Sequence, residues 1–455
     1  SCAVHCIWLL GYWPAQMTND SWATVSDVAA LHFADWHPYV YSMYVLVLFQ
    51  FYPSVATVAL FQIVMTSVLV CSILYFCLRR GVSSFIVAVF FFLFVCSIPI
   101  GLMNTIIWKD VPFSLAILAL SFFCFAAQLF KKNHKSYVQI PSWQYPILAC
   151  VIIAACHMRH NGIMFYAILP FLFVASLRWR DLGYLTGFLL LSFLTLNVWV
   201  PSWAHIQKTK GSPYHEVKTA LAIMTHPNFY SVDREQDYKI MERYLGMPWS
   251  QVSQIFAAKW FTINDTGVAQ HQYKPDLGYT EDGFNKKFLT RLISTNLPIF
   301  LSERTFGFFH SLAIDVSASD NRNGYFENPV QLTGSNLWPP GNFIFNHAID
   351  ATHPFPWLTS LVSGVDKWGR SYNGLISPQV LIWNLAIPFT LFCLIFFIEK
   401  FWSPITLFLF PNMAVAGGIF IVGAGESWRY FYYIYLAGIV VIPLYLAQRE
   451  TLKRV

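Results

Sequence analysis

The chain has 455 residues, 56% hydrophobic, 18% aromatic and only 11% charged, with a formal net charge of +6 and a mean hydropathy of +0.49. Soluble domains carry charge on roughly a quarter of their residues, so this composition excludes an ordinary water-soluble globule and points to lipid as the solvent. Nucleic acid is excluded as a partner, because the positive charge forms no stripe and sits in short clusters beside apolar runs, as at Arg79-Arg80, Lys131-Lys132 and Arg178-Trp179-Arg180.

In chain order, Ser1 to Gly11 supplies about 11 apolar residues where a span needs roughly 20. The first helix is therefore expected to lack its start. Tyr12-Trp13-Pro14 reads as an interfacial belt closing that span rather than as a signal-peptide cleavage site. Further apolar stretches follow at about 54–78, 82–100, 111–130, 143–156, 162–177, 181–202, 380–398, 403–423 and 428–447. The pair 143–156 and 162–177 is short enough to form a steep hairpin around Arg159 and His160. Residues 39–52 are apolar but too short to span and precede Pro53, as expected of an interfacial or re-entrant helix.

The connections sort by charge. Arg79-Arg80, residues 131–135, residues 178–180, Glu399-Lys400 and the tail Lys453-Arg454 form a basic set, which the positive-inside rule assigns to the cytoplasm. The alternate loops, 12–38, 101–110, 157–161, 203–379 and 424–429, then share the outer face. The expected fold is an all-α polytopic membrane protein with about ten transmembrane helices and a large, mainly helical or irregular extracytoplasmic domain. Its modules are 1–202, carrying the first outer loop (12–53), then 203–379, then 380–455. The outer segment has no cysteine, so packing alone must fold it. Helical patterning occupies its residues 215–260, and Phe288–Ile314, broken by Arg291, Pro298, Glu303 and Arg304, is expected along the membrane surface.

The outer loops hold the ionisable residues. The first carries Asp20, flanked by Asn19 and Ser21, and later Trp36-His37-Pro38; the second carries Lys109-Asp110-Val111-Pro112. Taken singly, each aspartate is an ordinary helix-capping residue, and Pro112 fits an early helical position where its missing N–H costs nothing. The third outer loop reads His157-Met158-Arg159-His160-Asn161-Gly162, and the last reads Glu426-Ser427-Trp428-Arg429-Tyr430. An arginine alone at a membrane surface is commonly snorkelling. Two loop carboxylates and two aromatic-flanked arginines on one face describe instead a site for a lipid phosphate, since the planar guanidinium binds phosphate oxygens bidentately.

These motifs, in this order, resemble the GT-C superfamily of membrane glycosyltransferases that use polyprenyl-phosphate sugars. The first loop is similar to bacterial members that modify cell-envelope polysaccharides, including O-antigen serotype-converting glucosyltransferases. The resemblance implies an inverting hexosyltransferase whose partners are a polyprenyl-phosphate-linked sugar donor, a lipid-linked or polymeric glycan acceptor and the lipid bilayer. It implies Asp20 as general base, Asp110 in the second-loop carboxylate position, and Arg159 and Arg429 on the leaving phosphate, with His37, Lys109, His160, Asn161, Glu426 and Tyr430 on the substrates. It also implies a multi-pass protein of a bacterial inner membrane with an extracytoplasmic site. The adjacent acidic pair of some GT-C families is absent here, and no His/Asp/Glu cluster has metal-ligand spacing, so no cofactor is expected and a divalent metal is left open. Two other readings remain: an O-antigen-type polymerase or ligase using a diphosphate carrier, and a lipid-linked-sugar flippase or transporter, which would place its polar groups near the bilayer midplane.

Overall fold

The computed structural model describes residues 1–33, 38–134, 140–175, 177–203, 206, 214–245, 248–257, 286–312, 355–369, 371, 378–422 and 428–453. These are almost wholly helical, and a parallel bridge pairs Gln16 with Ile106. By compactness the chain divides into one unit of Ser1–Lys208, Ser311–Gly418 and Ser427–Val455, and a second of Thr209–His310 and Ile419–Glu426.

In the first unit, α1 (Cys2–Gly11), α2 (Asn19–Ala30), α3 (Tyr39–Phe51) and α4 (Val55–Arg79) precede α5 (Ser84–Val95), α6 (Ile98–Thr105) and α7 (Asp110–His134). Next come α8 (Gln144–His157), a 3-10 turn His160–Met164, α9 (Phe165–Val174) and α10 (Trp179–Leu194), which runs on to Trp203. The helices Pro356–Gly369, Pro378–Trp383, Ala386–Ile398, Pro404–Val422 (in this unit as far as Gly418), the 3-10 turn Trp428–Phe431 and the helix Tyr432–Leu452 follow.

About ten spans were expected, but among the described residues five helices are long and apolar enough to cross a membrane: Val55–Arg79, Asp110–His134, Trp179–Trp203, Pro404–Ile421 and Trp428–Leu452. The number rises to 7 if two bent pairs each count as one span. Identifiable breaks account for the shortfall. The stretch 82–100 stops at Cys96 and restarts 48° away, because the Ser97 side chain caps the Ile100 N–H and Pro99 occupies the first turn of the new helix. Residues 144–174 turn by 118° at the 3-10 segment, giving the hairpin expected around Arg159. That turn requires Gly162, since a Cβ there would lie 2.3 Å from the Ala155 carbonyl oxygen. The stretch 380–398 is cut at Asn384, whose side-chain oxygen accepts from the Ala386 N–H at 2.7 Å, leaving a 13-residue helix.

The two longest helices on which the site depends are well terminated. Ser54 caps α4 through the Ala56 N–H, and the chain leaves at Gly81 with φ 92°, a backbone conformation that glycine adopts without strain. α7 has Asp110 in its first turn and Lys131, Lys132 and His134 in its last, charges that match the helix dipole at both ends. The terminal helix Tyr432–Leu452 packs against α7, α4 and α5, and α8 packs along α7. α1 lies against α4, α6 and the helix Pro356–Gly369, with Trp8, Ile98, Leu102, Leu358, Val362 and Trp383 forming a common apolar cluster.

The second unit has its own core. Helices Tyr214–Met224, Arg234–Leu245 and Trp249–Ala257 cover the region patterned as helical, and Lys286–Thr295 and Leu297–Ser311 follow. Ala220, Leu221, Met224, Phe229, Met241, Phe288 and Leu292 are buried together, so the apolar face of the Phe288 segment packs inward. Arg291 pairs with the buried Asp237, and Asn296 bridges both backbone groups of Tyr230 at 2.9 and 3.0 Å.

Candidate functional site

The site begins with two loops fastened to each other. Gln16 donates its N–H to Thr105 O at 2.8 Å and accepts from Ile107 N at 3.2 Å. Ser21 Oγ donates to Ile107 O at 2.8 Å, and Trp108 Nε1 donates to Thr18 Oγ1 at 2.7 Å. Thr18 and Ser21 also form the capping box that starts α2, so the residues that orient Asp20 are those that hold the second loop. From below, Gln62 Nε2 on α4 donates to Asn104 O and Ile106 O at 3.1 and 3.0 Å, and Thr66 Oγ1 donates to Asn104 Oδ1 at 2.9 Å. Buried backbone carbonyls with no water to solvate them are thus satisfied by side chains, which fixes the loop in one conformation.

On this support stand two ion pairs of different character. Arg159 Nη1 lies 2.5 Å from Asp110 Oδ1, with side chains 8% and 1% exposed. Arg429 Nη1 lies 2.9 Å from Asp20 Oδ2, with side chains 15% and 33% exposed. The first pair is closed to water; the second opens to it through its carboxylate. Tyr430 joins them, since the Arg159 and Arg429 guanidinium carbons lie 4.5 and 5.2 Å from the centre of its ring. Phe113 adds a second ring to Arg159 at 5.6 Å and Trp108 a second ring to Arg429 at 4.9 Å. Rings around a cation hold it without neutralising it, which leaves its charge for an anion.

Lys109 is influenced by all four of these charged groups. Burial pushes its ammonium down to about 8, Asp20 and Asp110 oppose the shift, and Arg159 and Arg429 add to it. With every group ionised, the three cations exceed the two carboxylates by one charge. An anion is the complementary ligand. Tyr41 on α3 lies near Asp20 and Asp110, and its fully buried hydroxyl has no hydrogen-bond partner among the described residues.

The structure therefore brings together Asp20, Lys109, Asp110, Arg159, Arg429 and Tyr430 from four separate loops. His160 is exposed, and Asn161 is half-buried with a buried Oδ1 that has no hydrogen-bond partner among the described residues. His37 and Glu426 lie outside the described residues. Sequence reading missed the roles of Trp108 and Phe113 as arginine platforms, although both stand beside the Lys109-Asp110 motif. It also missed Tyr41, which sits in an apolar run with nothing to distinguish it. Among the described residues no three His, Cys, Asp or Glu side chains gather as a metal site. No family model matches the chain, and neither does any curated protein or solved structure.

Proposed function

We propose that the chain is an inverting membrane glycosyltransferase of the GT-C kind, moving a sugar from a polyprenyl-phosphate donor to a lipid-linked or polymeric glycan. The observation that carries this reading is the Asp20–Arg429 pair: the most exposed carboxylate of the cluster lies 2.9 Å from an aromatic-framed guanidinium. A glycosyl transfer from a lipid phosphate needs those two groups side by side, a base for the acceptor and a cation for the leaving phosphate. In the reaction, Asp20 takes the acceptor hydroxyl proton while the acceptor oxygen bonds to the anomeric carbon. The bond from that carbon to the phosphate oxygen breaks on the opposite side, and its electron pair leaves with the polyprenyl phosphate, whose charge Arg429 and Lys109 offset. Asp110 is a positioning residue in this scheme; its burial and its hold on Arg159 fix Tyr430 and with it the Arg429 guanidinium.

The outer face is the proposed side. Asp110 opens a 25-residue helix, roughly 37 Å long, whose far end carries Lys131, Lys132 and His134. By the positive-inside rule that basic end is cytoplasmic, which leaves the ion pairs extracytoplasmic. A bacterial inner membrane and a cell-envelope polysaccharide acceptor complete the reading.

The test is incubation of purified, lipid-reconstituted protein with radiolabelled polyprenyl-phosphate sugars, alongside polyprenyl-diphosphate oligosaccharides. Transfer or slow donor hydrolysis from a monophosphate, abolished in D20N and R429Q, is the expected result. Turnover with diphosphate carriers only would reassign the chain to the polymerase or ligase class, and none with any donor would refute glycosyl transfer.

A further inference from the structure

The two arginines of the site are not equally committed, and the difference has a chemical consequence. Arg429 uses its fork at one tip: Nη1 meets a single Asp20 oxygen, Nη2 reaches Tyr430 Oη at 3.5 Å, and Nε is buried with no hydrogen-bond partner among the described residues. A buried N–H left unmade is unfavourable, and a phosphate, with several oxygens on one centre, spans Nε and Nη together as one carboxylate oxygen does not. Asp20, one-third exposed, has water to move into. Its backbone does not need to follow, because the Thr18–Ser21 capping box and the bond from Thr24 Oγ1 to Asp20 O at 3.1 Å hold the first turn of α2. Asp110, at 1% exposure, has no such exit.

We infer that Asp20 and Arg429 form a displaceable pair in which the phosphate monoester of the donor takes Arg429 and releases Asp20. This rests on the glycosyl-transfer reading and adds an order to it. Until a donor is seated, the base is masked by the guanidinium that will later hold the leaving group. Once phosphate sits on Arg429 through Nε and Nη2, its charge lies beside the Asp20 carboxylate on Nη1, and repulsion between the two anions turns the carboxylate toward water, the side from which an acceptor hydroxyl arrives. Donor binding precedes deprotonation, and water is not activated at an empty site.

The test is equilibrium binding of a short-chain polyprenyl monophosphate, and separately of inorganic phosphate, to the purified full chain. Removing the internal competitor in D20N, with D20S as a second variant, is expected to tighten the lipid phosphate at least fivefold. In an R429Q background the D20N gain is expected to vanish. Comparable tightening of inorganic phosphate would assign the gain to the phosphate group itself; tightening confined to the lipid ligand would show that the chain is needed to seat it, and both support displacement. Wild-type binding that D20N leaves unchanged or weakens overturns this inference alone, as does a D20N gain that survives in R429Q. No binding of the lipid phosphate by any of the proteins overturns this inference together with the glycosyl-transfer reading.

Discussion

Cutting the Asp110–Arg159 pair on one side should be far more damaging than removing it whole. In D110A the Arg159 guanidinium remains 8% exposed and loses its ion partner among the described residues. Removing one member of a buried pair costs about 3–5 kcal/mol, because the other charge stays desolvated. The two rings at 4.5 and 5.6 Å from Arg159 are present with and without Asp110, so they leave that cost unchanged. A loss of about 3–5 kcal/mol is expected for D110A. R159M strands the carboxylate in turn and should lose about 3–5 kcal/mol. The double variant D110A/R159M carries no buried charge from the pair and should lose less than either single change. By contrast, the Lys239–Glu235 pair on the second unit, with side chains 68% and 83% exposed, should contribute under about 0.5 kcal/mol. The assay is the fraction of protein that stays monodisperse after a temperature series in one detergent, with the four proteins run side by side. Losses that simply add in the double variant would show that the two groups are not an energetic unit, and would refute the positioning role given to Asp110.

Three further outcomes follow from the same geometry. W108F keeps a ring beneath Arg429 but loses the 2.7 Å bond to Thr18, so transfer should fall severalfold with about 1 kcal/mol of stability, whereas W108A should abolish donor binding; both are read as KM and turnover. G162A drives a Cβ to 2.3 Å from a backbone oxygen that cannot rotate away, so the α8–α9 hairpin should not form and the protein should elute as aggregate on size exclusion. Lys109 has its ordinary value of 10.5 lowered to about 8, so between those pH values the unfolded chain binds the proton that the folded chain has lost. Stability should therefore rise with pH across that window. Anion affinity should move the other way, with the donor KM rising above pH 8 in the wild type and staying flat in K109R.

The membrane class and the charged residues that the fold gathers into one cluster were legible because both depend on local facts. A helix of lipid-facing residues must be apolar, so an Asp or Arg at its end stands out without any knowledge of its neighbours. The cap of α2 was misplaced by two residues: Asp20 reads as a capping residue, whereas Thr18 caps the helix with Ser21 and Asp20 stands in its first turn. Pairing was not readable. Each arginine alone suits a phosphate, and only the tertiary arrangement commits Arg159 to a buried Asp110 and sets Arg429 against the partly exposed Asp20. The number of spans failed for a related reason. Hydropathy averages over a window, and Ser97 with Pro99, or Asn384 alone, changes the average very little while ending a helix outright.

Those breaks and the site have one physical origin. A helix that ends inside protein leaves N–H and C=O groups without intrahelical partners, and these must be met by side chains or by another segment. The restart at Ser97 shortens α6, so the chain emerges at Ile106 in an extended form that Gln16 pairs with and Gln62 supports. Lys109 and Asp110 follow at once, at the first turn of α7. The 118° turn after His157 likewise places Arg159 at a bend rather than in the middle of a span, with an extended backbone (φ −140°, ψ 149°) between two helical segments. A straight span would have carried this arginine's charge along a lipid-facing helix; the bend delivers it to Asp110. Straightening either break to gain a full-length span would remove a charged residue from the cluster, so the low span count and the gathering of these charges are the same structural choice.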